Sequence, residues 1–277
     1  MNDVSRTSGL SNSFKWAASH WFSLRQNDSM CANYVPVTSS ERLLTFFGVD
    51  RTRSDPTVDV FPSGLGPMIR LAANDGTTPP EMIVTDAIFR FVPDFIAKLD
   101  WARKTYNARS ETVDVKSSYA PAWRAGQRCI IPAEGFYEPN YETGKAVRWA
   151  FNLPGGVPMG IAGIYKPWTM PDGREVFAMS MLTVNADDHP LMNRFHSPAD
   201  EKRMVVILDR SDSSEWLSCS VSETKRFFKQ WRGPLDAHPA PLPPRAPKAS
   251  SVATAKPAKP KIVRPPQPPP PENGELF

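Results

Sequence analysis

The sequence predicts an α+β domain in which strands dominate, followed by a disordered tail. Three observations lead there. Between residues 30 and 231, short apolar or alternating runs recur, joined by irregular loops, which is the pattern of short strands and not of repeated strand–helix–strand units. Only a few stretches carry helix signals. The 30 prolines crowd toward the C-terminal end, where apolar runs stop.

Taken in order, residues 1–29 are mostly polar, with a short aromatic patch at Phe14, Trp16, Trp21 and Phe22, and are expected to form an N-terminal extension outside the core. Cys31 to Val37 reads as a strand. Ser39 to Phe47 reads as a helix, with Ser39 or Ser40 as N-cap and Glu41 in the first turn. Val58 to Phe61 is short and apolar, and Met68 to Ala72 and Met82 to Phe91 read as strands around an Asn74-Asp75-Gly76 turn. Ser117 to Gly126 has a helix-like composition. Cys129 to Pro132, Val147 to Leu153, Met159 to Tyr165, Phe177 to Val184 and Met204 to Leu208 are further strands. Asp187 to Arg194 is a polar loop or short helix, and Ser213 to Leu217 and Ser222 to Trp231 are closing helices. The domain is therefore expected over residues 30–233. Residues 234–277, rich in Pro and Lys, cannot bury enough apolar surface to offset chain entropy and are expected to be disordered or polyproline II.

A net charge of +4 and a pI near 9 are compatible with nucleic-acid binding, although much of the excess cation lies in the tail. The three cysteines, 31, 129 and 219, have no paired spacing and no histidine neighbours, so neither a zinc site nor a disulfide framework is expected. Cys129 opens an apolar strand and belongs in the core, whereas Cys219 is peripheral. No apolar run has the length of a membrane span, and the first 29 residues lack the apolar centre of a secretory signal, so a cytoplasmic protein is expected.

Met30-Cys31 is the sequence feature with the sharpest chemistry. If Cys31 becomes the first residue, either because Met30 is the true initiator or because residues 1–29 are a propeptide, it carries an amine and a thiol on adjacent carbons. Such an aminothiol condenses with an aldehyde and closes to a five-membered thiazolidine. The reference pKa values of roughly 8 for the amine and roughly 8.5 for the thiol leave both partly nucleophilic at neutral pH. Three further features accompany it: Asn107-Ala108-Arg109-Ser110-Glu111-Thr112, Gly135-Phe136-Tyr137-Glu138, and His196 ahead of Arg203-Met204 and an apolar strand. A histidine titrates near neutrality and a carboxylate beside an amine accepts its proton, so His196 and Glu138 are the natural proton carriers. His189 is the competing histidine, disfavoured because it lacks the downstream Arg-Met-strand pattern. Trp123 and Trp149 are expected to serve packing.

This ordered set resembles the SOS response-associated peptidase (SRAP) family, the abasic-site processing proteins, over about residues 30 to 232. The resemblance implies a single SRAP-like domain, a mainly antiparallel β-sheet or open barrel with flanking helices. It implies that Cys31 crosslinks to abasic sites in single-stranded DNA, with Asn107 orienting the amine and the opened sugar and Glu138 and His196 moving protons. Self-cleavage before Cys31 and strand cleavage at the abasic site would accompany this, with no cofactor and no metal. Expected DNA contacts are Arg109, which alternation puts on the same face as Asn107, together with Phe89, Arg90 and Arg203. Lys202 is a further candidate. The chain departs from the family at Phe89, where tryptophan is usual, at Arg90 in place of glycine, and at Asn33 where some members carry arginine. A conventional cysteine hydrolase using Cys31, His196 and Glu138 is the alternative. The protein is expected to be a nucleoid-associated monomer, with no membrane partner and a tail that has the composition of a partner-binding segment.

Overall fold

The computed structural model describes residues 33–73, 76, 79–91, 105–170 and 173–243. The expectations for residues 1–29, Cys31, Asn74, Asp75 and the tail beyond Pro243 fall outside them. The described strands are β1 (Asn33–Pro36), β2 (Leu65–Leu71), β3 (Met82–Phe89), β4 (Asn107–Arg109), β5 (Arg128–Asn140), β6 (Val147–Asn152), β7 (Met159–Thr169), β8 (Glu175–Asn185), β9 (Arg203–Val205), β10 (Ile207–Leu208) and β11 (Asp236–Pro239). Three short helices flank them: α1 (Ser40–Phe47), α2 (Ala120–Arg124) and α3 (Ser213–Ser218).

Strand pairing runs from β2 through β3, β8, β7 and β5, and β5 returns to β2 where Ile69 faces Ile130. The sheet thus closes into a five-stranded barrel and leaves no edge on that circuit. Ile69, Ile130, Ile161, Ile164, Met179 and Met181 are among its fully or almost fully buried residues. Most pairs are antiparallel, as the family resemblance implies, but β3 and β4 both run parallel to β8.

β5 is the organising strand. The sequence suggests two pieces, Cys129–Pro132 and a separate segment to Pro139. The structure makes one strand of 13 residues that passes through both prolines. Proline lacks an N–H but keeps its acceptor, and here each acceptor is used: Val37 N–H donates to Pro132 O at 3.0 Å, and His196 N–H to Pro139 O at 2.8 Å. β1 lies antiparallel to β5 with Asn33 opposite Tyr137, and a bulge between Val35 and Pro36.

Local signals set the first helix. Ser39 is the cap, accepting from Arg42 N–H at 3.3 Å, and Gly48 ends the helix at φ 68°. Elsewhere tertiary contacts redraw the expected elements. The apolar run 204–208 divides at Val206 because the chain changes neighbours there: β9 pairs with β8 and β10 with β7. The expected helix 222–231 is a 3-10 turn, Val221–Phe227, started by a Ser220/Glu223 capping box. The ordered chain also continues past the expected boundary at 233. β11 pairs antiparallel with β6, while Leu235 and Ala237 pack on the core. Main-chain pairing to a strand edge needs no apolar run, which is why the proline-rich composition conceals it.

Gly135, in the Gly-Phe-Tyr-Glu segment, is required by close approach. A β-carbon there would fall on the Asn152 amide and 2.5 Å from the Phe151 carbonyl oxygen. Gly135→Ala should therefore destabilise the domain by about 1–3 kcal/mol in denaturant unfolding, and a midpoint equal to that of the unaltered protein would refute the packing argument.

Candidate active site

Glu138 lies near the end of β5, opposite Trp149 of β6, and is 2% exposed. His196 follows the 3-10 turn Met192–Arg194, and its segment is stitched to the same end of β5. Phe195 bridges to Asn140, Asn140 Nδ2 donates to Arg194 O at 3.2 Å, and His196 N–H donates to Pro139 O. The Phe195 ring anchors the segment against Trp149 and Phe151. His196 itself has φ 67°, a left-handed conformation that costs a β-carbon-bearing residue roughly 1–2 kcal/mol. The bonds on either side hold it there. The outcome is a buried pair, with His196 Nδ1 at 3.5 Å from Glu138 Oε2.

The other ring nitrogen fixes the tautomer. His196 Nε2 lies 2.8 Å from Arg203 O, and a carbonyl only accepts, so Nε2 carries the proton and Nδ1 turns its lone pair toward Glu138. Burial pushes the His196 pKa down, helped by the charges of Lys202 and Arg203 and opposed by the bond to Arg203 O and by Asp200. The buried imidazole therefore resists protonation more than a free one. A neutral Nδ1 beside a carboxylate is an arrangement that takes up a proton from a group brought to it and can return it.

Asn107 is 5% exposed on β4, opposite Met181 of β8, and its carbonyl accepts from Tyr119 Oη at 3.1 Å. β9, which carries Arg203, pairs with the same strand beyond it, so β4 and β9 flank the C-terminal part of β8. At one strand spacing each, that separates them by roughly 10 Å.

The expected DNA contacts divide. Arg109 is half exposed and pairs with Glu201 at 2.7 Å. Phe89, Arg90 and Arg203, by contrast, are buried. Phe89 is fully buried against Tyr34 and Tyr106, so its faces are occupied by core packing. Arg90 is 3% exposed and donates to Ser63 Oγ at 2.8 Å. Arg203 is 2% exposed and serves as a hub. It donates to both Glu111 oxygens, to Glu201 Oε1 at 2.8 Å, and to the Thr183 carbonyl at 2.6 Å. Burial works against the Glu111 carboxylate, but the hydrogen bond and charge of Arg203 outweigh it and hold Glu111 below its usual value. Sequence reasoning missed Glu111 and Glu201 as partners of this arginine. The signal was present in part, since Glu111 belongs to the same segment as Asn107 and Arg109.

His189 differs from His196 in its partners. Its Nδ1 accepts from Leu191 and Met192 N–H and its Nε2 bonds Trp231 O at 2.6 Å, so main chain occupies both nitrogens. Cys129 is buried, with its thiol pKa pushed up by burial, and Trp123 packs against Trp216 and Phe228. Among the described residues no three His, Cys, Asp or Glu come together as a metal set.

A closed five-stranded barrel, one strand of which runs on beyond the circuit to carry a buried acid–histidine pair, defines the class as a β-barrel protein with a paired carboxyl and imidazole. Residues 30–240 match the family model for SOS response associated peptidase, SRAP, and the chain belongs to that family. It is 25% identical over 194 residues to the Bacillus subtilis abasic site processing protein YoqW, an alignment that covers 68% of this chain and 80% of that one. With the Gallus gallus abasic site processing protein HMCES the identity is 26% over 202 residues, covering 64% and 58% of the two chains. A crystal structure of a Bordetella bronchiseptica protein superposes with a TM-score of 0.68 at 34% identity, covering 76% of this chain and all of the other.

Because the folded His196 ring resists protonation, the unfolded chain binds more protons below the ordinary histidine value of 6.5. The His196 contribution to stability is thus complete above that pH and declines as pH falls through the window beneath it. Replacing His196 with Gln should flatten this part of a melting-temperature profile, and an unchanged slope would show that His196 does not generate it. Arg203→Lys keeps the charge but cannot span Glu111, Glu201 and Thr183 together. It should cost about 1–3 kcal/mol of stability while leaving the salt dependence of DNA binding unaltered. A reduced salt slope would instead make Arg203 a phosphate contact.

Proposed function

We propose that this protein processes abasic sites by joining a freed N-terminal Cys31 to the sugar aldehyde in single-stranded DNA. The observation that carries the reading is the buried His196–Glu138 pair on the end of β5. β1, which pairs with that end, begins at Asn33. Asn33 is two residues after Cys31, and two residues span at most about 7 Å, a reach that supports the reading. Membership of the family and the names of the relatives support the same chemistry.

The steps follow from the groups present. Glu138 and His196 take the proton of the Cys31 ammonium, and the free amine adds to the aldehyde to give a carbinolamine. Loss of one water leaves an imine, to which the thiol adds, closing the thiazolidine. Before these steps the sugar ring opens to the aldehyde: the C1′ hydroxyl gives up a proton and the ring oxygen takes one, exchanged through His196 Nδ1 and Glu138. Asn107 orients the amine and the opened sugar. At the imine stage the 2′ hydrogens are acidic, so loss of one with departure of the 3′ phosphate gives strand cleavage. In a chain that retains residues before Cys31, hydrolysis of the Met30–Cys31 bond by water would expose the same aminothiol. Arg109 exchanges Glu201 for a DNA phosphate, a contact whose strength falls with salt.

Protein beginning at Cys31 should form a heat-stable complex with a single-stranded oligonucleotide containing one abasic site, and Cys31→Ala should abolish it. Glu138→Gln should slow its formation by about 100-fold or more, the scale of a lost general base. Absence of the complex when intact mass shows Cys31 to be N-terminal would overturn the proposal. Peptide hydrolysis by a chain that retains the extension would favour a conventional cysteine hydrolase.

A further inference from the structure

At the same end of β5, on the face that alternation turns away from Glu138, lies a second polar cluster that the proposed chemistry does not use. Asp59 is at its centre. Its carboxylate accepts from Asn33 Nδ2 at 3.1 Å and from Tyr137 Oη at 3.4 Å, and it is ion-paired with Arg148 Nη2. The Arg148 guanidinium stacks on the Tyr137 ring, 3.2 Å from its centroid. Its Nη1 donates to Ala240 O at 3.1 Å, while Ala240 N–H donates back to Arg148 O at 2.8 Å. The cluster therefore joins four segments: the start of β1, the 59–60 segment, β5–β6, and the chain just after β11.

This arrangement bears on the chain start. The first residues of a strand fray unless they are tied down, and an aminothiol that must meet an aldehyde in one orientation tolerates little fraying. Asn33 is tied twice. Its main chain pairs with Tyr137, the neighbour of Glu138, and its side chain is held by Asp59. The next residue is locked to the same segment, because Tyr34 and Val60 exchange main-chain hydrogen bonds of 3.2 and 2.8 Å. Asp59 is only 28% exposed, and the arginine that neutralises it also fixes the direction of its carboxylate.

We propose that Asp59, oriented by Arg148, is a positioning residue for Cys31: by gripping Asn33 it sets the approach of the aminothiol to Glu138 and His196. This rests on the crosslinking chemistry proposed above. It also gives β11 a part in the site, since the Ala240 carbonyl is one of the anchors of Arg148.

The test is single-turnover crosslinking to an abasic single-stranded oligonucleotide by proteins that begin at Cys31. Asp59→Ala should lower the maximal rate by about tenfold, in line with the sensitivity of oriented reactions to small misplacements, with the half-saturating DNA concentration unchanged. Asn33→Ala should do the same, and the double variant should be no slower than either. Asp59→Asn keeps a carbonyl acceptor for Asn33 but loses the charge pair, and should recover to within about threefold of the unaltered rate. A purely structural role for the ion pair gives the opposite order, Asp59→Asn as slow as Asp59→Ala, and overturns the proposal, as does full speed in Asp59→Ala. Should Asp59→Ala fail to fold by melting temperature, Asn33→Ala decides, because it leaves the Asp59–Arg148 ion pair in place. An unaltered protein that forms no adduct refutes the crosslinking reading and this proposal with it. Adduct formation lost in Cys31→Ala but normal in Asp59→Ala and Asn33→Ala refutes this proposal alone.

Discussion

The site depends on a buried arginine. Arg203 is enclosed where β9 meets β8, and burying a guanidinium is costly unless charge and hydrogen bonds replace water. Glu111 and Glu201 supply the charge and the Thr183 carbonyl another acceptor. Once the side chain is fixed, its own carbonyl is fixed too, and that carbonyl takes the proton-bearing nitrogen of His196. The tautomer, and with it the lone pair aimed at Glu138, is set by an interaction made on the far side of the same residue.

The second constraint is the reuse of β5. One strand closes the barrel against β2 and β7, carries β1 on its other part, presents Glu138, and holds the His196 segment through Pro139 O. Prolines at 132 and 139 would argue against a central strand in most sheets. Here their missing donors coincide with places where the pairing partner changes, and their carbonyls receive the bonds that fix β1 and His196. The left-handed backbone of His196 is sustained in the same way, by bonds before and after it, and such strain collects where a side chain must be aimed.

Charged residues in this domain do more internal than external work. Arg203, Arg148 and Arg51 all have side chains less than one-fifth exposed, and each is paired with a carboxylate. Arg109 is different, since its side chain is half exposed and its partner Glu201 is shared with Arg203. A shared, partly exposed ion pair contributes little to stability, which leaves Arg109 able to change partners without loss of the fold.

The sequence alone determined a good deal here. Alternation and apolar runs marked most of the strands, Ser39 and Gly48 bounded the first helix, and the ordered series Met-Cys, Asn-Ala-Arg, Gly-Phe-Tyr-Glu and His picked out the family. Other features were decided only in three dimensions. Phe89, Arg90 and Arg203 look like contact residues because an aromatic or an arginine in sequence carries no sign of which way it faces. Arg203 is buried because Glu111, 92 positions earlier, is brought to it. β11 and the break at Val206 were hidden because main-chain pairing to a neighbouring strand depends on where that strand lies, and composition does not record it. Local preference is written residue by residue, whereas burial, partnership and the closure of the barrel arise from segments far apart in the chain.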